Sequence, residues 1–357
     1  MPKNKTFFAK KLIAWYLQNK RALPWRNTKD PYKIWLSEII LQQTRVAQGL
    51  PYYTKFVAAY PTVQDLAKTP EEEVLKQWQG LGYYSRARNL LFTSKVVANE
   101  LKGVFPDTYK DLKKLKGVGD YTASAIASIC FNEAAAVVDG NVYRVLARVF
   151  NVTLPINSTE GIKYFKQLAQ ELLDTSQPGT YNQAIMEFGA RYCVPQNPVC
   201  ESCIFNDRCE AFKNNKVPQL PVKLKKLKVK KRYFNYLVVV SEDGKTLLEQ
   251  RKGKGIWQNL YQFPLVETVA EISEEELRTK EGYKSFATLV QANSISKFNE
   301  TPTIHKLSHQ QLFTTFWIVE TGKLKERGVP VSELQKYPVP VLVSNFLDTF
   351  GFQGFNE

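Results

Sequence analysis

The period of the hydrophobic residues changes once along the chain, and that change limits the folds open to it. From residue 6 to about 192, apolar side chains recur three and four apart, as in EEEVLKQW, YYSRARNLLFTSKVVANEL and GIKYFKQLAQELLDT. Breaks at Pro24, Pro51, Pro61, Gly80 with Gly82, Pro106, Gly117 with Gly119, and Pro155 cut this stretch into helices of ordinary length. Alternation of Val and Ile over strand lengths is nearly absent, so an all-α unit of roughly ten helices is expected. After residue 232 the pattern belongs to strands. RYFNYLVVVSEDGKTLLEQR reads as strand, Asp-Gly turn and strand, and HQQLFTTFWIVETG as another strand. KSFATLVQAN and VPVLVSNFLDTF return to the helical period. The chain is therefore expected to hold an all-α domain over 1–212 and a small α+β domain over 232–357, with no internal repeat.

Between them, residues 213–232 carry nine basic residues and no acid, interrupted by two prolines. An extended linker over 213–231 is expected, either as a solvated tether or as an arm that tracks phosphates by releasing counterions. The whole chain has 49 basic against 34 acidic residues, a net charge of +15. That excess favours a polyanionic partner and does not by itself separate nucleic acid from a membrane surface. No stretch reaches the roughly 18 apolar residues that a membrane helix needs. Near the N-terminus, Phe8, Leu12, Ile13, Trp15 and Tyr16 recur at helical spacing and do not form the continuous apolar block of a signal peptide. A soluble, non-exported chain is expected.

Four of the five cysteines fall within 17 residues: Cys193, Cys200, Cys203 and Cys209. In a chain that stays inside the cell, such a cluster reads as a metal site before it reads as disulfides. Structural zinc sites commonly pair two C-x2-C units, and only one is present. Four thiolates from one short loop suit a cubane [4Fe–4S] cluster, with zinc and unligated thiols as the alternatives. Cys130, in TASAIASICF, reads as a small core residue.

Residues 112–126, LKKLKGVGDYTASAI, read as a helix–hairpin–helix. Leu115 closes one helix, and Gly117 and Gly119 allow a tight turn. The next helix then presents free N–H groups to a phosphate oxygen. An ordinary helical hairpin is the alternative. Glu38 sits among Leu36, Ile39, Ile40 and Leu41, where burial would raise its pKa and keep a proton available. Asp139 precedes a glycine and an apolar-periodic helix. From the residues alone it suits a helix cap as well as a reactive carboxylate.

The segments LPWR, WLSEIILQQTRV, GLGYYSRARNL, KGVGDYTA, VDGNVYRVLAR, QAIMEFGA, GIWQNLYQFP and LSHQQ, with the cysteine spacing, resemble adenine DNA glycosylases of the MutY type within the endonuclease III-like superfamily. The likeness extends over nearly the whole chain. It implies removal of adenine mispaired with 8-oxoguanine or guanine in double-stranded DNA. Glycosidic cleavage needs an acid for the departing base and a carboxylate for the sugar cation. The resemblance gives these roles to Glu38 and Asp139. Asn141 and Glu187 match supporting polar residues of the pocket, and Arg26 one that borders the adenine. Tyr121 stands where relatives with strand-cleaving activity carry a Schiff-base lysine, which implies a monofunctional enzyme. Gln43 and Tyr83 match the wedge that holds the duplex open once the adenine is flipped out. Gly117 and Gly119 match the phosphate-binding hairpin, and the four cysteines match the [4Fe–4S] ligands.

The C-terminal part resembles a Nudix domain. The glutamate-rich metal-binding pattern of a working hydrolase is replaced by TVAEISEEELRTKEG, so recognition of the oxidised guanine is expected there instead of nucleotide hydrolysis. Ser308 and His309 keep the polar pair of the family's Phe-Ser-His loop. Leu307 departs from it and removes an aromatic stacking partner. His305 is expected to be a surface residue. VPQNPV between Cys193 and Cys200 lacks the basic residues common in the family, which points to a mainly structural cluster. A monomer in the cytoplasm of a bacterial-type cell, associated with the nucleoid, is expected. A thymine-glycol-type glycosylase/lyase is disfavoured by Tyr121. A Nudix pyrophosphatase is disfavoured by the missing glutamates, and a silent DNA-binding module by the presence of both carboxylates.

Overall fold

Helices make up every regular element up to residue 224 in the computed structural model, which describes residues 2–224 and 229–352. Two compact units emerge: Met1–Lys68 with Asn89–Lys226, and Thr69–Arg88 with Leu227–Glu357. Among the described residues, no helix is long and apolar enough to cross a membrane.

The first unit comprises α1 (Pro2–Asn19), α2 (Pro31–Ile40), α3 (Val46–Ala59) and α4 (Val63–Lys68). Beyond the Thr69–Arg88 segment, which contains α5 (Glu71–Gln77), it continues from residue 89 of α6 (Ser85–Lys95). Then come α7 (Tyr109–Leu112), α8 (Asp120–Phe131), α9 (Gly140–Val149), α10 (Thr159–Leu172), α11 (Pro178–Arg191) and α12 (Glu210–Lys213). Helix α2 starts at Pro31, with the Asp30 side chain accepting from Tyr32 N. Eight of its ten residues are buried, because its apolar residues lie all round the helix and not along one stripe. A second core joins α1, α9, α10 and α11 through Leu12, Trp15, Val145, Leu146, Phe165 and Phe188. Phe8 stacks on Phe205 at 4.8 Å, which ties α1 to the cysteine loop.

The basic segment departs from its expected extended form. Residues 217–219 form a 3-10 turn, Leu220 is buried, and Ile156 N donates to Val222 O at 3.0 Å. Its first half thus packs on the first unit, because Val217, Leu220 and Val222 are apolar and Arg148 meets the carbonyls of Val217 and Leu220. Lys225, Lys226, Leu227 and Lys228 lie outside the described residues. Leu115 also departs from expectation. Helix α7 ends at Leu112, and Leu115 belongs to the turn that follows, where its carbonyl accepts from Val118 N.

In the second unit, β1 (Lys230–Ser241) lies at the centre of a mixed sheet. It pairs antiparallel with β5 (Leu265–Thr268) and parallel, over its full length, with β8 (Gln310–Thr321). Strands β6 (Ala292–Lys297) and β7 (Thr303–Lys306) pair antiparallel with β8. The Asp-Gly turn after β1 forms, with Gly244 at φ +67°. The strands flanking it do not ladder with each other. Both edges of β1 are occupied, so β2 (Lys245–Thr246) pairs with β9 (Val329–Pro330), and β3 (Glu249–Gln250) with β4 (Tyr261–Gln262). One face of the sheet packs Leu237, Val239, Trp317 and Val319 on α13 (Glu274–Thr279) and α14 (Glu281–Val290). The other stacks Phe316 on Phe346 of α15 (Val341–Phe350) at 4.1 Å. Helices on both faces explain why β1 reads as a continuous apolar run.

Asn182 of α11 is 0% exposed. Its Nδ2 donates to Ser128 Oγ and Ala135 O, both at 2.8 Å, and its Oδ1 accepts from Val137 N at 3.2 Å. These bonds pin the segment that leads into Asp139. Asn182→Ala leaves the partners buried and unpaired, so it is expected to lower unfolding free energy by about 1–3 kcal/mol. Denaturant melts measure this, and a variant as stable as the parent would show that the bonds contribute nothing.

Candidate active site

Glu38, near the C-terminal end of the buried helix α2, is 8% exposed. Burial raises its carboxyl to about 7, and the negative charge of Asp139 adds to the rise. The hydrogen bond with Tyr121 and the charge of Arg26 pull the other way without cancelling it. Four residues expected to act together therefore meet from four elements: Arg26 from the turn Pro24–Arg26, Glu38 from α2, Tyr121 from α8 and Asp139 ahead of α9. Burial first, then the charges of Glu38 and Asp139, push the Tyr121 phenol well above its usual pKa. It stays protonated, and its hydroxyl also donates to Met186 Sδ at 3.2 Å.

Asp139 caps α9. Its Oδ1 accepts from Asn141 N at 2.9 Å and Val142 N at 2.8 Å, and its Oδ2 accepts from Asn141 Nδ2 at 2.8 Å. The cap reading and the reactive reading are thus compatible, because the cap fixes one carboxylate oxygen and orients the other. Burial raises its pKa, while these hydrogen bonds and Arg144 oppose the rise. Asn141 is held in turn by Arg144, whose Nη2 donates to Asn141 Oδ1 at 2.8 Å and to Gly189 O at 2.6 Å. Arg144 Nε reaches Cys193 O at 2.7 Å. One guanidinium therefore joins the Asp139 cap to the cysteine loop.

Glu187 is 1% exposed. Burial raises its pKa, but Arg21 and Arg26 outweigh this and hold the carboxyl near 2. Arg21 binds both carboxylate oxygens, through Nε at 2.8 Å and Nη2 at 2.6 Å, and Arg26 Nη2 adds a bond at 2.6 Å. Glu187 is therefore a fixed anion that orients Arg26. Arg21, Met186 and Arg144 are absent from the sequence reading. Arg144 left a trace there, as one of two arginines four apart in the otherwise apolar helix VYRVLAR, whereas Arg21 and Met186 left none.

The hairpin between α7 and α8 forms. Gly117 has φ +81°, and a Cβ there would lie 2.8 Å from Asn89 Cβ, so both backbone and packing demand glycine. Gly119 differs. It caps α8 in the extended region, at φ −89°, and a Cβ there would meet nothing within 4 Å. Its glycine keeps the helix N-terminus open to an approaching group and serves no internal need. Gln43 and Tyr83 are both exposed and both left-handed, at φ +56° and +48°. Such a backbone is uncommon outside glycine and clusters at functional positions.

Cys193, Cys200, Cys203 and Cys209 line one small cavity, walled largely by apolar residues. Arg148 shapes it. Its Nη1 reaches Cys193 Sγ at 3.5 Å and Val194 O at 2.7 Å, and its Nη2 reaches Pro195 O at 2.9 Å. Among the described residues, no group of three or more His, Cys, Asp or Glu is disposed to hold a single metal ion. Cys130 is half-buried at the end of α8, less enclosed than a core residue.

In the second unit, Ser308 and His309 occupy the tip between β7 and β8, where Leu307 N donates to Gln310 O at 2.8 Å. The Tyr83 hydroxyl is hydrogen bonded to Ser308 Oγ. A cleft beside them is lined by Tyr83, Trp257, His305, Leu307, Ser308 and His309. His305 is thus not a free surface residue. It packs against Trp257 at 5.8 Å, and burial lowers its pKa. The acidic stretch EISEEEL leads into α13, where Glu276 closes a capping box with Ser273 and Glu274 pairs with Arg278.

Residues 36–171 match the HhH-GPD superfamily of base excision DNA repair proteins, and residues 235–349 match the NUDIX domain family. The chain is 33% identical over 318 residues to the adenine DNA glycosylase of Buchnera aphidicola subsp. Baizongia pistaciae, covering 87% of this chain and 86% of that protein. It is 46% identical over 224 residues to the human adenine DNA glycosylase, covering 60% of this chain and 41% of the human one. Two solved structures superpose on 60% of the chain and 98% of their own. A thermostable thymine-DNA glycosylase does so at TM-score 0.56 and 32% identity, and endonuclease III in a trapped covalent DNA complex at 0.53 and 20%, which speaks for a shared fold. Because the alignment with the Buchnera protein is longer than the helical part of the chain, it must run into the strand-rich part as well, and the chain belongs to the adenine DNA glycosylase family of base excision repair enzymes.

Proposed function

We propose that this DNA glycosylase hydrolyses the bond to adenine opposite 8-oxoguanine or guanine in duplex DNA, acting as a monomer and without strand cleavage. The observation that carries the reading is the pairing of Glu38, whose carboxyl is raised to about 7, with Asp139, held by three hydrogen bonds. The adenine leaves the stack before reaction. Glu38 delivers its proton to the base, and Asp139 stabilises the sugar cation. Asn141 holds Asp139, and Glu187 holds Arg26 at the edge of the adenine. Tyr121 has no amine with which to form a Schiff base, so water completes the reaction. The hairpin at Gly117 and Gly119 takes a phosphate, while Gln43 and Tyr83 fill the gap left in the duplex.

The domains proposed for this chemistry are 1–212 for catalysis and 232–357 for lesion recognition, joined by 213–231. Ser308 and His309 read the base opposite the adenine from the cleft in the second unit. Leu307 lacks the aromatic face that contributes about 1–3 kcal/mol per stacked base.

The cysteine loop fits a [4Fe–4S] cluster. The four thiols line one cavity with largely apolar walls, and a cubane takes four Cys ligands. Cys193, Cys200, Cys203 and Cys209 would hold it. When bound, the cluster supplies a cross-link that fixes the loop.

Four measurements test this. Glu38→Gln is expected to cost at least the roughly 10²–10⁴-fold that a general acid contributes. In the parent, the single-turnover rate should fall as pH rises through about 7, where Glu38 loses its proton, and fall again in acid as Asp139 gains one. A flat profile, or an active Glu38→Gln, would remove Glu38 from that role. Adenine release should be fastest opposite 8-oxoguanine, slower opposite guanine and slowest opposite cytosine or thymine, with strand breaks only after alkali. Equal rates opposite all four would overturn the specificity. Purified protein should contain iron and acid-labile sulfide with broad visible absorption, lost in Cys203→Ser; zinc without sulfide would exclude the cluster.

A further inference from the structure

Arg86 has no part in the mechanism above, yet it is 8% exposed and lies three residues beyond Tyr83, which is 47% exposed. Its Nη2 donates to Leu81 O at 3.3 Å and to Gly82 O at 3.2 Å. Its guanidinium stands 5.1 Å from the Trp78 ring centre and 5.7 Å from that of Tyr83. Trp78 Nε1 donates to the same Gly82 O at 3.0 Å, and the Trp78 ring is wholly buried. The loop held in this way has φ +99° at Gly80, +71° at Gly82 and +48° at Tyr83. The glycines adopt such values freely, whereas Tyr83, with its Cβ, does so only where its surroundings enforce it. A planar fork that bonds neighbouring carbonyls while stacking on rings is a property of arginine that lysine lacks. Burial lowers the Arg86 pKa to about 10, which still leaves the group charged at neutral pH.

We propose that Arg86 is the positioning residue for Tyr83: it braces the Gly80–Tyr83 loop against Trp78 and presents the Tyr83 ring for insertion into DNA, acting on the duplex only through that ring. The inference rests on the reading of Tyr83 as a wedge.

The test compares Arg86→Lys, Arg86→Gln, Tyr83→Ala and the double variant Arg86→Lys/Tyr83→Ala in the full chain. Extrusion of the target base is followed by the fluorescence of 2-aminopurine placed beside the adenine. Amide hydrogen exchange is followed for the peptide containing Leu81, Gly82 and Tyr83. Arg86→Lys is expected to slow extrusion by roughly ten- to a hundredfold, as small misplacements do. The double variant should be no slower than Tyr83→Ala alone. Exchange should rise in the Gly80–Tyr83 loop and stay at the parent level in the sheet of the second unit. Effects that multiply in the double variant would overturn the proposal, as would unchanged exchange in the loop. Exchange raised throughout the second unit in both Arg86 variants would overturn it too, since Arg86 would then serve general stability. If Tyr83→Ala extrudes the base at the parent rate, the wedge reading fails by itself, and the exchange data still decide whether Arg86 holds the loop.

Discussion

One guanidinium carries much of the irregular backbone around the site. Arg144 donates to Asn141 Oδ1, Gly189 O and Cys193 O, all within 2.8 Å. Those acceptors belong to the start of α9, the end of α11 and the first residue of the cysteine loop. A planar fork satisfies them together, where a lysine would meet fewer at poorer angles. One of the three bonds to Asp139 depends on this fork, because the Asn141 side chain that donates to Oδ2 is itself held by Arg144. Arg148, one helical turn further along α9, does the same for the carbonyls of Val194, Pro195, Val217 and Leu220. Buried charge here organises loops that contain little regular structure, and the apolar cores of α1, α10 and α11 supply the burial that strengthens these bonds.

The same principle separates the three acids nearest the site. Glu38 and Glu187 are both enclosed, yet Glu38 keeps a proton up to neutrality and Glu187 is ionised at any ordinary pH. Two arginines account for the difference. Asp139 lies between these extremes, raised by burial and restrained by its cap. Carboxylates with separated affinities for protons are what a reaction needing one acid and one anion requires.

Much of this was legible in the sequence because it follows from local pattern. The helical period of the first part, the apolar run around Glu38, the glycines of the hairpin and the cysteine spacing each state a local requirement. What escaped was fixed by long-range pairing. Nothing near Arg21 points to Glu187, and nothing in the turn after β1 reveals that both edges of β1 are taken. His305 read as a surface residue because Trp257, which shelters it, is distant in sequence. The basic segment read as a tether because charge hid the apolar spacing of Val217, Leu220 and Val222. Gly117 and Gly119 looked equivalent, and only backbone angles separate the glycine needed by the fold from the one that leaves room for a ligand.

The parallel pairing of β1 with β8 has a consequence for how the protein is made. β1 is a twelve-residue strand, and the partner it needs begins about eighty residues later. During synthesis the run from Phe234 to Ser241 therefore leaves the ribosome long before its neighbour exists, and such unpaired apolar strands are prone to associate with other chains. Lys230, Lys231 and Arg232 open the strand. Their charge repels like copies of the segment and acts as a gatekeeper until β8 arrives.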